Sequence, residues 1–134
     1  MIPSAAIDTR AAVWYLDADS RLSARAKSFS DASARAGLSV LVSPISLVEV
    51  LYLCETGRLP WDALTRLDTA LRLESAVLRV ADLTLDMALA VGRVLRDEVP
   101  DMLDRIIAVT ALYFGVPVIS RDGDIRASAI PTIR

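Results

Sequence analysis

What most constrains this chain is the alternation, from one end to the other, of strand-length apolar runs with helical segments. Residues 5–7, 38–42, 76–80, 116–119 and 130–133 read as short strands without the polar alternation of a sheet that has one wet face. Helical patterns fill the intervals. The first runs through Trp14, Tyr15 and Leu16. The second runs from a cap region at 19–23 to about Ala36, with Gly37 behind it. Pro44 opens a third helix to about Thr56, and Pro60 a fourth through Leu64, Leu67 and Leu71. The pattern predicts a fifth helix over 84–96, with Leu85, Ala88, Leu89 and Val91 as its apolar set. A sixth opens at Pro100 and Asp101 and is capped by Gly115, and residues 120–124 read as a polar loop. Strands buried on both faces and joined by helices give an α/β domain whose central sheet, of four to five strands, is mainly parallel. With 134 residues, no Pro/Ser/Gly linker and no repeat, residues 1–134 make a single domain.

Composition narrows the chemistry. The chain has no histidine, which excludes Ser-His-Asp and Cys-His triads and zinc sites that rely on imidazole. Cys54 is the single cysteine, so neither an internal disulfide nor a thiolate metal cage can form. The formal net charge of −2 gives no global basic field of the kind that marks many nucleic-acid binders. Charged residues interrupt the N-terminus early, and the longest uncharged stretch, 106–120, is too short to span a bilayer. The expectation is a cytoplasmic protein whose chemistry rests on carboxylates, hydroxyls, arginines or a bound ion.

The carboxylates fall at informative places. In an open parallel sheet, ligands bind beyond the carboxyl ends of the strands, near the point where the winding reverses. Asp8 ends the first strand, and Asp122 follows the strand at 116–119. Asp104 lies in the first turn of the helix opened by Pro100, with Asp101 three residues earlier. Glu49 is the one charge in an otherwise apolar segment over 40–54. Each acid has a plainer reading: Asp8 as a helix cap, Asp101 as a charge favoured at a helix N-terminus by the macrodipole, Asp122 as a turn residue, Glu49 as half of an arginine pair. Gathered at one sheet edge, carboxylates repel one another, and hard divalent cations such as Mg2+ or Mn2+ relieve that repulsion. Such a cluster can activate water in phosphoryl chemistry without any histidine.

Four segments carry a resemblance: IDT at 7–9 with WYL at 14–16, VSPISLVE at 42–49, DMLDRIIAVTA at 101–111, and VISRD at 118–122. In this order and spacing they resemble the PIN-domain family, and more closely the VapC-type toxin ribonucleases of type II toxin–antitoxin pairs. The resemblance implies a PIN-like three-layer α/β/α sandwich and a Mg2+- or Mn2+-dependent endoribonuclease. Its catalytic and metal-binding acids would be Asp8, Glu49, Asp104 and Asp122, with Asp101 and Asp124 as auxiliary acids. Water activated by the cation would cleave the phosphodiester to a 5′-phosphate and a 3′-hydroxyl. It further implies tRNA or rRNA as substrate, an antitoxin covering the active site, and a homodimer. Many relatives carry a histidine before the third motif, where this chain has Glu98, Val99 and Pro100.

Arg10, Arg105, Arg121 and Arg126 lie in or beside these motifs and are candidate contacts to RNA or antitoxin, or else counter-charges for the acids. Trp14 and Tyr15 are either stacking surfaces or core. The alternative function is a catalytically silent PIN-like module that only binds an antitoxin or another partner. A set of mutually repelling acids argues against it. A phosphoacceptor receiver is excluded because Asp8 is followed by Thr9 and Arg10 and the single lysine, Lys27, lies early. A dinucleotide fold is excluded because the five glycines form no Gly-x-Gly-x-x-Gly.

Overall fold

The structure is a computed structural model that describes residues 1–73, 76–128 and 130–134. Strands β1 (Pro3–Ile7), β2 (Ser39–Val42), β3 (Leu78–Val80), β4 (Val118–Ile119) and β5 (Thr132–Ile133) form one sheet in the order β3-β2-β1-β4-β5. Every pairing in it is parallel. Helices α1 (Thr9–Leu16), α2 (Ala24–Arg35), α3 (Pro44–Glu55), α4 (Trp61–Arg72), α5 (Leu85–Ala90), α6 (Met102–Phe114) and α7 (Gly123–Ala127) supply the connections.

Side-chain alternation along the strands feeds two separate cores, which is why the strands read as continuous apolar runs. Ala5 and Ile7 of β1, Val40 and Val42 of β2 and Ile119 of β4 face one core, closed by residues of α1, α2, α3 and α4 such as Ala12, Ala26, Val50 and Leu67. Ala6, Leu41 and Val118 face the other, closed by Val99, by Ile107, Ala108, Val109 and Ala111 of α6, and by Ile125 of α7. The result is the expected α/β/α sandwich with five strands.

Two local expectations need correction, and the cap region expected at 19–23 narrows to one residue. The second helix starts at Ala24, and Ser23 is its cap, its hydroxyl accepting from the Ala26 amide at 3.0 Å. Asp19 is engaged elsewhere: its carboxylate takes the Arg21 amide at 2.8 Å and the Arg21 guanidinium at 2.7 Å, closing a turn. The helix expected over 84–96 ends after six residues and passes into a 3-10 turn at Val91–Arg93. Arg105 of α6 donates from Nε to the Val94 carbonyl at 3.0 Å and from Nη2 to the Val91 carbonyl at 3.3 Å, taking acceptors that a longer helix would use. Leu85 and Leu89, assigned to the apolar face, are 76% and 74% exposed, and Met87 turns inward instead. Finally, residues 120–124 are not only loop, because Asp122 caps α7.

β1 is central. The chain winds outward through β2 and β3 on one side and then returns to β4 on the other. Between β1 and β4 the winding direction reverses, so the segments leaving their carboxyl ends diverge and open a crevice. No helix among the described residues is long and apolar enough to cross a membrane.

Candidate active site

The crevice is built from strand ends and helix starts. Asp8 leaves β1 and caps α1, with Oδ1 accepting from the Ala11 amide at 2.8 Å. Its Oδ2 accepts from the Ser120 hydroxyl at 2.5 Å, and the same Ser120 Oγ accepts from the Asp122 amide at 2.9 Å. Ser120 therefore ties the ends of β1 and β4 together across the reversal point. Asp122 caps α7, its Oδ1 accepting from the amides of Asp124 and Ile125, each at 3.0 Å. Asp101 caps α6 by accepting from the Asp104 amide at 3.0 Å, which fixes the turn that carries Asp104. Glu49 projects from α3, half-buried. Among the described residues it has no ion pair, so the arginine-pair reading of Glu49 falls. Thr9 donates to Ser46 Oγ at 2.9 Å, holding the start of α1 against α3.

A cavity of about 270 Å³ is lined by Asp8, Thr9, Arg10, Trp14, Glu49, Asp101, Asp104, Arg121 and Asp122. Capping and cavity lining are thus not alternatives for Asp8, Asp101 and Asp122. Each does both, since helix N-termini that converge on one crevice bring their capping carboxylates with them. Asp124 stands outside, exposed in the first turn of α7. Arg105 is also outside the lining, held on the carbonyls of Val91 and Val94. Arg126 lines a different depression together with Arg25 and Arg134. Arg121, on the cavity wall, donates from Nη1 to the Arg21 carbonyl at 2.7 Å. Trp14 and Tyr15 both pack against the first core. Trp14 also meets the cavity, whereas Tyr15 donates its hydroxyl to Asp31 at 2.8 Å.

Burial and mutual repulsion act on these acids. Burial raises the Asp8 carboxyl above its ordinary range, the hydrogen bonds from Ser120 and Ala11 work against that rise, and Asp122 and Glu49 add to it. Asp104 is pushed up to about 7, first by burial and then by the charges of Asp122, Asp101, Asp8 and Glu49. All-oxygen donors that repel one another suit a hard divalent cation such as Mg2+ or Mn2+. The carboxylates ring the cavity rather than meet at a point: among the described residues no three His, Cys, Asp or Glu side chains form a ready-made metal cluster. The fit therefore lies in donor chemistry and unrelieved charge, not in preset geometry.

The sequence reading missed Ser120, Thr9 and Ser46 as site residues. Ser120 did carry a signal, a hydroxyl two residues before Asp122 in a polar strand-end segment. Its partnership with Asp8, 112 residues away, is set by the pairing of β1 with β4.

Comparison with known proteins agrees with this architecture. No protein of curated function matches the sequence significantly. Among solved structures, the chain is similar to that of VapBC2 from Rickettsia felis bound to a DNA fragment from their promoter. The TM-score is 0.69 at 17% identity, covering 99% of this chain and 98% of that one. It is similar to Mycobacterium tuberculosis VapC20, described as a Sarcin-Ricin loop cleaving toxin, with TM-score 0.63, 21% identity and coverage of 98% and 99%. A toxin–antitoxin complex from Klebsiella pneumoniae gives TM-score 0.66 at 21% identity, covering 98% and 97%. At such identities these likenesses establish the fold. The family model for the PIN domain matches residues 5–130, nearly the whole of the sequence, and the chain belongs to the PIN domain family.

Proposed function

We propose that this protein is the toxin of a toxin–antitoxin pair, an endoribonuclease that hydrolyses RNA phosphodiesters with Mg2+ or Mn2+. The observation that carries this reading is the set of five carboxylates lining one cavity at the reversal point of the sheet, two of them driven toward protonation by burial and repulsion. The PIN domain match supports it, as does the likeness to a toxin that cleaves the Sarcin-Ricin loop and to two toxin–antitoxin assemblies. The same reading takes structured RNA, tRNA or rRNA, as substrate and an antitoxin as the partner that covers the cavity. It also takes a homodimer as the working form and the cytoplasm as its compartment.

Asp8, Glu49, Asp104 and Asp122 are the residues that would hold the cation, with Asp101 behind Asp104. When bound, a divalent cation supplies the positive charge that keeps these carboxylates ionised and lowers the pKa of a coordinated water near the scissile phosphate. Asp8 is held rigid for this task, since both of its oxygens are fixed, by Ala11 and by Ser120. Asp104, with its carboxyl at about 7, can hold or release a proton near neutrality. Arg10 and Arg121 on the wall orient the phosphate by charge.

The deciding experiment is cleavage of total cellular RNA by antitoxin-free protein in Mg2+, Mn2+ or EDTA, beside Asp104→Asn and Asp8→Asn made identically. Metal-dependent bands that vanish in both variants are expected. Wild-type rates in Asp8→Asn would overturn the site. No cleavage under any metal, from folded protein, would leave a binding module.

A further inference from the structure

A second cavity, of about 300 Å³, lies directly beside the acidic one and shares Thr9, Arg10 and Trp14 with it as a partition. Apolar side chains form one part of its wall: Val13 and Leu53 are buried, and Leu59 and Pro60, from the link between α3 and α4, complete that part. Its rim is charged, with Arg10, Arg21, Arg58 and Asp17. Two of these four are already neutralised. Arg21 grips Asp19, with Nη2 at 2.7 Å from Oδ2, and lies over the Trp14 ring at 5.5 Å from its centroid. Asp17 pairs with Arg66 at 2.9 Å. Arg10 and Arg58 are exposed and make no ion pair among the described residues.

The occupant must therefore bring a flat or compact apolar part and negative charge close together, within one residue's reach of the acidic cavity. We propose that this second cavity is a nucleotide subsite. It holds the base next to the scissile phosphate against Val13, Leu53, Leu59 and Pro60, while Arg10 and Arg58 take the flanking phosphates. This inference rests on the ribonuclease reading of the neighbouring site. The two cavities divide the work of binding a strand. The acidic one repels a phosphate unless a cation is present, and the adjacent one attracts the backbone without one. The Arg21–Trp14 contact keeps the partition wall in place before RNA arrives, so little ordering is left for the moment of binding. Arg10 and Arg58 are positioning residues, and they act on strand affinity rather than on the bond-breaking step.

The test measures binding of a labelled single-stranded RNA of mixed sequence to Asp104→Asn, with and without Arg58→Ala, across a salt series. It is run beside kcat and KM for cleavage by the otherwise wild-type pair. Arg35→Ala, an exposed arginine on α2 away from both cavities, is the control. Loss of Arg58 is expected to weaken RNA about tenfold and to flatten the log-affinity versus log-salt slope by about 0.7, one phosphate contact. KM should rise with kcat within about twofold. An abasic ribose next to the cut should weaken wild-type binding and remove most of the dependence of affinity on Leu59→Ser.

Unchanged RNA affinity and salt slope in Arg58→Ala, with the wild type cleaving normally, would overturn the subsite and leave the nuclease reading standing. Arg58-dependent RNA binding without cleavage in any metal would overturn the nuclease reading, and with it the placement of the base beside a scissile phosphate, leaving a strand-binding cavity. Loss of affinity for an acidic peptide in Arg58→Ala, with RNA binding intact, would assign the cavity to a protein partner and also overturn the proposal.

Discussion

Asp104 is a residue at which burial and repulsion act together, and its behaviour can be tested without any substrate. Its carboxyl is raised from an ordinary value of 3.8 to about 7. Between those values the unfolded chain releases the proton while the folded, metal-free protein keeps it. The stabilisation is therefore fully present below about pH 4 and is lost as pH rises through about 7. Asp8, also raised, adds in the same direction, whereas Asp19 and Asp31, both lowered by their cationic partners, act only at more acidic pH. Thermal melts in chelator should show the midpoint falling from pH 5 to pH 8, with a flatter profile in Asp104→Asn. Adding Mn2+ at pH 8 should restore the wild type and do much less for the variant. Ser120 offers a second test. It holds Asp8 from behind, so Ser120→Ala should lower cleavage or cation affinity about 10- to 100-fold, read by metal titration of activity. The acids themselves were visible in the sequence because Asp8, Asp101, Asp104 and Asp122 sit at strand ends or helix starts and Glu49 is the one charge in an apolar segment. The role of Ser120 was not, because its partner Asp8 lies on the neighbouring strand, 112 residues away in the chain.

At the level of elements, two residues in left-handed backbone make opposite predictions. Gly115 closes α6 at φ 67°, and a Cβ there would meet nothing within 4 Å, so Gly115→Ala costs conformational strain alone, about 1 kcal/mol. Ala18, just beyond α1, adopts φ 52° without that freedom. Ala18→Gly should stabilise by about 0.5–1 kcal/mol, and urea titration of both variants checks the pair. Asp101→Ala should cost about 1 kcal/mol through the lost α6 cap and should also disturb Asp104, whose amide it holds. The helix start at Pro44 and the helix ends at Gly37 and Gly115 were legible, because proline and glycine act through local backbone rules. The early end of α5 was not legible, because the carbonyls of Val91 and Val94 are taken by Arg105 of another helix.

For the whole molecule, the sheet order places β1 between β2 and β4, and the two cores on its faces are separate. Leu67 is fully buried in the first core, on α4 and away from the acids. Leu67→Ala should lower stability by about 2–5 kcal/mol while leaving the metal dependence of cleavage intact, which distinguishes loss of fold from loss of site. Chemical denaturation combined with the RNA assay on the remaining folded fraction makes that separation.

Local sequence features were enough for the α/β class, most of the helices and strands, and the acids that face the crevice. Each of these follows from local periodicity, turn chemistry, a lone charge in an apolar run or a residue's place at the end of an element. Tertiary structure alone decided which of the paired acids enters the cavity, with Asp122 in and Asp124 out. It also decided that Arg105 serves the fold rather than the site, and that Ser120 joins two strand ends far apart in the chain. These outcomes depend on distances between segments more than a hundred or only a few residues apart alike, and those distances exist only once the winding reverses between β1 and β4.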